Sequence, residues 1–245
     1  MLIEELHCRA ISAVDVRKQA IRGLLFCLLT LILPCRGITQ IKVANAGFPG
    51  ENSKEIAARL DGALKKYRPR FVVIFVGMND AVNDRKFLTP QQTSEFVTRM
   101  VKTSKDDHAA VVLVNLHEPD EKRLLQRHTR ESYGDLSPAA RVDAVNRELM
   151  KIAQIYGASF ANFHEALEKA GGADDAMSTD GVHLTANGYH LLASTIREAL
   201  PQHITEDTTV LCIGDSLTYG IGVRQPGDAP EGDETYPAQL RSLLR

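Results

Sequence analysis

Three residues of this chain have the types and settings that acyl transfer requires. Ser216 follows the apolar residues 210–213 and lies in the sequence Gly-Asp-Ser-Leu, and His183 follows Asp180 by three positions in Asp-Gly-Val-His. Acyl transfer needs a nucleophile, a base that removes its proton and a group that orients the base. We therefore predict Ser216 as the nucleophile, His183 as the base and Asp180 as the acid that orients the imidazole.

The same chemistry needs hydrogen-bond donors for the developing oxyanion. Gly47 lies in Asn-Ala-Gly and Asn79 in Gly-Met-Asn-Asp, and each segment follows an apolar run. We predict that the backbone N–H groups of Ser216 and Gly47 and the side-chain amide of Asn79 form the oxyanion hole. A glycine at position 47 fits this role because a side chain would crowd the acyl group.

Each motif alone has a simpler explanation. Gly, Asp, Asn and Ser are the ordinary residues of turns, and His183 precedes a predicted helix start at Thr185 that it could cap or pack against. The four motifs together, each following a predicted strand, favour a catalytic site over four unrelated turns.

Apolar strands alternate with helical patterns from residue 38 onward. We predict strands at residues 38–44, 71–76, 111–114 and 158–163 and from residue 210, with helices between them. This alternation is typical of a three-layer α/β/α fold with a doubly wound, flavodoxin-like parallel sheet of about five strands. In such sheets the ligand site lies at the carboxyl ends of the strands, where all four motifs fall.

The motifs resemble those of the SGNH hydrolases, also called GDSL esterases and lipases, from Gly37 to the last residue. The family's Ser, Gly, Asn and His are similar to Ser216, Gly47, Asn79 and His183, and its D-x-x-H acid to Asp180. The resemblance implies a serine esterase that needs no cofactor or metal.

The order of the motifs departs from that family. There the serine comes first, whereas here the nucleophile block, residues 208–245, follows all the others. We interpret the chain as a circular permutant. Three alternatives stay open: the block begins a second, truncated domain, the reading frame is an artefact, or the block completes the sheet of another copy in a strand-exchanged homodimer.

Residues 1–36 are predicted to be an N-terminal extension ahead of a catalytic domain at residues 37–245. Its apolar run, residues 23–33, follows several basic residues but is too short to span a bilayer comfortably. A signal or membrane anchor and a helix packed on the domain both stay open, so the sequence assigns no cellular location.

Composition limits the classes of partner. The formal net charge of -2 and the dispersed basic residues give no reason to expect nucleic acid, and the four cysteines lack metal-ligand spacing. We predict a small-molecule ester substrate, with short acyl or acetyl groups favoured because the polar residues 117–136 suit a lid or rim better than a long apolar channel. A catalytically inactive relative that acts as a binding module is the alternative.

Overall fold

Five parallel strands form one sheet in this computed structural model, which describes residues 40–227 and 229–245. The sheet has the order β1-β5-β2-β3-β4. Its strands are β1 (Lys42–Gly47), β2 (Phe71–Phe75), β3 (Ala110–Val114), β4 (Ser159–Ala161) and β5 (Thr209–Gly214).

The helices begin where the sequence supplies caps. Asn52 and Thr89 each form a capping box with the residue three positions on, and Ser137, Thr185 and Thr235 accept from the backbone N–H at the same spacing. The helices are α1 (Ser53–Tyr67), α2 (Met78–Val82), α3 (Pro90–Asp106), α4 (Glu121–Leu124), α5 (Pro138–Tyr156), α6 (Phe163–Lys169), α7 (Ala186–Ala199), α8 (Ser216–Tyr219) and α9 (Tyr236–Leu243), with a 3-10 turn at Arg130–Tyr133.

Helices cover both faces of the sheet. Helices α1, α3 and α5 pack on one face, and α6, α7 and α9 pack on the other. The sheet is therefore the middle of three layers, and β2, β3 and β5 are almost fully buried because they are covered on both sides. The predicted three-layer α/β/α architecture with about five parallel strands is confirmed.

Strand β5 lies inside the sheet although it comes last in the chain. It pairs in parallel with β1 on one side and β2 on the other, so that Gly214 is in register with both Gly47 and Phe75. This pairing within one chain brings the end of β5, and the serine that follows, between two strands that precede it by more than 130 residues.

Two predicted boundaries need correction. Strand β1 was expected at residues 38–44, but it runs from Lys42 to Gly47, and residues 38 and 39 lie outside the described part. The strand predicted at residues 158–163 is β4, which covers only Ser159–Ala161, because Asn162 caps a helix that begins at Phe163. The proposed extension at residues 1–36, with its apolar run 23–33, also lies outside the described residues.

Candidate active site

Ser216, His183 and Asp180 lie in one hydrogen-bonded row at the carboxyl edge of the sheet. The imidazole Nε2 of His183 is 3.0 Å from the Oγ of Ser216, and its Nδ1 is 2.7 Å from the Oδ2 of Asp180. Since the carboxylate accepts a hydrogen from Nδ1, Nε2 is left to accept the hydroxyl proton of Ser216. The three side chains that the sequence analysis named are thus brought together within one chain.

The serine is placed by the end of β5 and the short helix α8. Asp215 caps that helix by accepting the backbone N–H of Leu217 at 2.9 Å, and Ser216 is the first helical residue. The N–H of Ser216 has no acceptor among the described residues because it lies in the first turn. It is free to donate to a substrate oxygen.

The acid and base share a tight loop. The Oδ1 of Asp180 accepts the backbone N–H groups of Val182 and His183, at 3.0 and 2.8 Å. Burial alone raises the pKa of Asp180, but the hydrogen bonds from the His183 side chain and from these N–H groups outweigh it and hold the pKa well below its usual range. Asp180 is therefore an anion at every pH at which an imidazole base is useful.

Asn79 lies on α2 and lines the same cavity as Ser216 and His183. Its Nδ2 donates to the backbone oxygen of Glu51 at 2.9 Å, and a second contact to the Oδ2 of Asp215 is long, at 3.4 Å. Asn83 donates to its Oδ1 at 2.9 Å, which fixes the orientation of the amide. One N–H of Asn79 is thus only weakly engaged, by the long contact to Asp215.

Buried Asp80 holds α2 in place beneath Asn79. Its carboxylate accepts the backbone N–H of Ser53 at 3.0 Å, the Ser53 hydroxyl, and the hydroxyl of Thr93 at 2.9 Å. These bonds join the starts of α1, α2 and α3. Burial raises the pKa of Asp80 despite them.

Gly47 does not supply the oxyanion donor that the sequence analysis assigned to it. It is the last residue of β1, and its N–H donates to the Oδ1 of Asn45 at 2.9 Å. A Cβ on Gly47 would lie 2.0 Å from the backbone nitrogen of Tyr219. This glycine is required for close packing of β1 against α8, and it does not line the cavity.

Gly50, three residues after Gly47, does line the cavity. It lines the cavity beside Asn79 and Ser216, and its N–H has no acceptor in the part of the chain that the structure describes. Its φ of 80° lies in the left-handed region, and no atom within 4 Å would meet an added Cβ. Gly50 was not singled out from the sequence because the predicted end of β1, residue 44, was three residues too early, which left both glycines in the predicted loop.

Arg59 on α1 fastens the loops that carry these groups. Its Nη1 donates to the backbone oxygen of Ala46 and its Nη2 to that of Gly214, each at 2.9 Å, while its Nε pairs with Glu51. One guanidinium therefore fixes the ends of β1 and β5 and the residue after Gly50. Nothing in the sequence marked this arginine, because two of its partners are backbone oxygens and the third, Glu51, is eight residues away.

The cavity at this site has a volume of about 470 Å³ and a mixed lining. Met78, Val82, Leu124, Val182 and Ile221 supply apolar surface, whereas Asp84, Arg85 and Arg127 supply charge and His128 supplies an imidazole. His117, which could have lined the cleft, is instead fully buried and contacts the oxygen of Val182 at 3.0 Å. Burial lowers the pKa of His117 to about 4, so its imidazole is neutral.

Two features are absent from the described residues, a metal-binding group of side chains and a membrane-spanning helix. That part of the chain contains no group of three or more His, Cys, Asp or Glu side chains arranged for a metal ion. Among the same residues, no helix combines the length and the apolar character needed to cross a membrane.

A serine, a histidine and an aspartate at the carboxyl edge of a parallel α/β/α sheet agree with the class that the motifs resemble, the SGNH-type hydrolases. The model of the GDSL-like Lipase/Acylhydrolase family matches residues 30–191, and this chain belongs to that family. The matched range ends before β5, so it contains His183 and Asp180 but not Ser216.

Curated relatives match parts of the chain. "Thioesterase 1/protease 1/lysophospholipase L1" of Escherichia coli strain K12 is 30% identical over 81 residues, which is 33% of this chain and 38% of that protein. "Esterase TesA" of Pseudomonas aeruginosa is 26% identical over 147 residues, 58% of this chain and 61% of that protein. The chain thus spans less than two thirds of the length of either relative.

Solved structures share the fold. A lipase/acylhydrolase from Enterococcus faecalis is 24% identical with a TM-score of 0.52, covering 64% of this chain and 76% of its own. The acetylxylan esterase Axe2 of Geobacillus stearothermophilus, as a catalytic mutant, is 16% identical with a TM-score of 0.51, covering 61% and 68%. At these identities the likeness establishes the three-layer architecture alone.

Proposed function

We propose that this protein is a serine esterase that hydrolyses carboxylic esters through an acyl-enzyme. The observation that carries the proposal is the row Ser216–His183–Asp180, with contacts of 3.0 and 2.7 Å. Each proton transfer in the reaction below is carried by these side chains, so the proposal calls for no cofactor.

In the first half of the reaction the Oγ of Ser216 attacks the ester carbonyl while Nε2 of His183 takes its proton. The carbonyl π electrons move onto oxygen and form a tetrahedral oxyanion. When the C–O bond to the leaving group breaks, His183 returns the proton to the departing alkoxide, which leaves as an alcohol. Asp180 stabilises the imidazolium that exists between these two transfers.

In the second half, water replaces the alcohol. His183 takes a proton from water as the oxygen attacks the acyl carbon, and the second tetrahedral intermediate collapses with the proton passing to Ser216. The products are a carboxylic acid and the free enzyme. Both halves need the same oxyanion donors.

We assign the oxyanion hole to the N–H groups of Ser216 and Gly50 and to the amide of Asn79. Both backbone N–H groups lack an acceptor among the described residues, and the Asn79 contact to Asp215 is long enough to be replaced by a substrate oxygen. Gly47 has no part in this assignment because Asn45 already accepts its N–H.

For the substrate we propose short acyl or acetyl esters. Charged side chains, among them Arg85 and Arg127, interrupt the apolar lining of the cavity, which disfavours a long acyl chain. The names of the relatives include a thioesterase and an acetylxylan esterase, so acyl thioesters and acetylated sugars are the next substrates to compare.

We also propose that the order of the motifs is a circular permutation of the family's order. The support is the interior position of β5, between β1 and β2, and the end of the family match at residue 191. Helix α7 ends at Ala199, so nine residues lead from it to the start of β5 at Thr209.

The test compares hydrolysis of p-nitrophenyl acetate by the full chain and by its Ser216→Ala and Asn79→Ala variants. We expect Ser216→Ala to lose the activity and Asn79→Ala to lower kcat by about a hundredfold to a thousandfold. Equal rates for the full chain and Ser216→Ala would refute the esterase and favour a binding protein, whose ligand affinity would survive the loss of the hydroxyl.

A further inference from the structure

Part of the polar stretch at residues 117–136 supports the loop that carries Asp180 and His183. We call residues 117–127 the brace segment. Four of its residues contact the loop at residues 178–183, and each contact is to a different loop residue. His117 lies 3.0 Å from the backbone oxygen of Val182, and the N–H of Asp120 donates to the oxygen of Gly181 at 2.9 Å. Arg123 donates to the oxygen of Ser178 at 3.0 Å, and Arg127 donates to the side chain of Asp180.

Three of these contacts are to backbone oxygens, and only Arg127 reaches the carboxylate. Its Nη1 donates to the Oδ2 of Asp180, the same oxygen that accepts from the Nδ1 of His183, and its Nη2 lies 3.4 Å from the Asp180 backbone oxygen. Arg127 is 40% exposed and also lines the cavity. A permanent cation thus shares one oxygen with the catalytic base.

Sharing this oxygen has an electrostatic consequence for the base. An unshared carboxylate favours the protonated imidazole, which cannot accept a proton from Ser216, whereas a neighbouring guanidinium offsets part of that negative charge. Arg127 therefore lies where it offsets part of the negative charge that Asp180 presents to His183.

Other charged or titratable groups face the pair, and none replaces Arg127. His117 on the brace segment is neutral, and Arg123 is paired with Asp120 and Asp175. Asp215 is buried, and burial raises its pKa to about 7, so it titrates within the pH range of the tests below and is kept in every variant compared. Across the cavity, Asp84 is paired with His128, and Arg85 extends from the same turn. Tyr189 on α7 is buried with a pKa raised by burial, so it is neutral.

We propose that Arg127 is a positioning residue that offsets the charge of Asp180 and so sets the pH at which His183 becomes an active base. This inference rests on the proposed esterase activity. In this proposal residues 117–127 support the loop at residues 178–183, whereas the sequence favoured a lid or rim at residues 117–136.

The first test measures kcat/KM for p-nitrophenyl acetate from about pH 5 to 9 in the full chain, Arg127→Met and Arg127→Lys. Arg130→Met is the matched control, because Arg130 lies three positions further and, among the described residues, donates only to the backbone oxygens of Gly134 and Leu136. We expect the acidic midpoint to rise by about half a pH unit in Arg127→Met, less in Arg127→Lys and not at all in the control.

The second measurement does not depend on turnover. The ring resonances of His183 are titrated by NMR in the full chain and in Arg127→Met, with His183→Gln for assignment. An upward move of the midpoint supports the inference even if the chain proves not to hydrolyse esters, an outcome that Ser216→Ala reveals separately. If the midpoint is unchanged in both measurements, the inference is wrong. This holds even if Arg127→Met has a lower kcat/KM at every pH.

Discussion

The Nη2 of Arg59 donates to the backbone oxygen of Gly214 at 2.9 Å, which ties helix α1 to the end of β5 two residues before the proposed nucleophile. The same guanidinium holds Ala46 and Glu51. It therefore sets the distance between the two loops whose N–H groups are assigned to the oxyanion hole.

Replacing Arg59 is expected to lower kcat more than it raises KM. Displacing the oxyanion donors weakens contacts that are strongest in the transition state, and misplacement by about 1 Å can cost a hundredfold. We predict a fall in kcat of about tenfold to a hundredfold for Arg59→Met, with Arg59→Lys between this variant and the full chain. Steady-state kinetics measure kcat and KM, and thermal unfolding checks that each variant is folded. Arg99→Met, at an exposed position on α3, is the control. Full kcat in a folded Arg59→Met protein contradicts the role.

Gly47 at the end of β1 and Gly50 in the loop after it should respond differently to alanine. At Gly47 the new methyl group would lie 2.0 Å from a backbone nitrogen, so we expect Gly47→Ala to lose several kcal/mol of unfolding free energy. At Gly50 there is space, and only the left-handed φ of 80° costs about 1–2 kcal/mol. Gly50→Ala should stay folded but lose kcat as its N–H shifts.

Thermal unfolding followed by circular dichroism, together with kcat of the soluble fractions, separates the two variants. If Gly47→Ala is as stable as Gly50→Ala and has the larger loss of kcat, the assignment of the oxyanion N–H to Gly50 is wrong and the original prediction for Gly47 is restored.

These glycines also show how far the sequence analysis reached. The alternation of strands and helices predicted the architecture because β2, β3 and β5 are apolar runs. Ser216 could be named because its motif follows the end of β5, and His183 because it follows Asp180 by three positions. The N–H of Gly47 donates to Asn45 and not into the cavity, which the sequence could not predict because periodicity does not fix where β1 ends within three residues. Arg59 and Arg127 could not be found at all, since their partners are backbone oxygens and a carboxylate brought close only by the fold.

Asp215 predicts a pH dependence of stability. Burial raises its pKa from 3.8 to about 7, so between these values the folded chain retains a proton that the unfolded chain has lost. The unfolding free energy should therefore fall as pH rises from about 4 to 7, by up to roughly 4 kcal/mol from this one group.

Asp215→Asn removes the titration but keeps an oxygen that can accept the N–H of Leu217. The difference in unfolding free energy between this variant and the full chain, measured by urea denaturation at several pH values, should grow in favour of the variant as pH rises. Asp61→Asn, on the exposed face of α1, is the control. A difference that is constant across pH refutes the buried, protonated state of Asp215.

The proposed permutation predicts that the order of the blocks does not matter to the site. A chain in which residues 208–245 are joined by a short glycine–serine linker ahead of residues 40–207 should form the same sheet, since β5 keeps its neighbours β1 and β2. We expect Ser216-dependent hydrolysis within about tenfold of the original. A folded rearranged chain without that activity argues against the permutation.

Trapping the acyl-enzyme is the most direct test of the central claim, that Ser216 is the nucleophile activated by His183. The full chain, Ser216→Ala and His183→Ala are treated with a fluorophosphonate, and intact mass and peptide mapping locate the adduct. The account predicts one adduct on Ser216 in the full chain, none in Ser216→Ala and at most slow labelling in His183→Ala. Labelling of Ser216→Ala at the rate of the full chain, or an adduct on another residue, would contradict it.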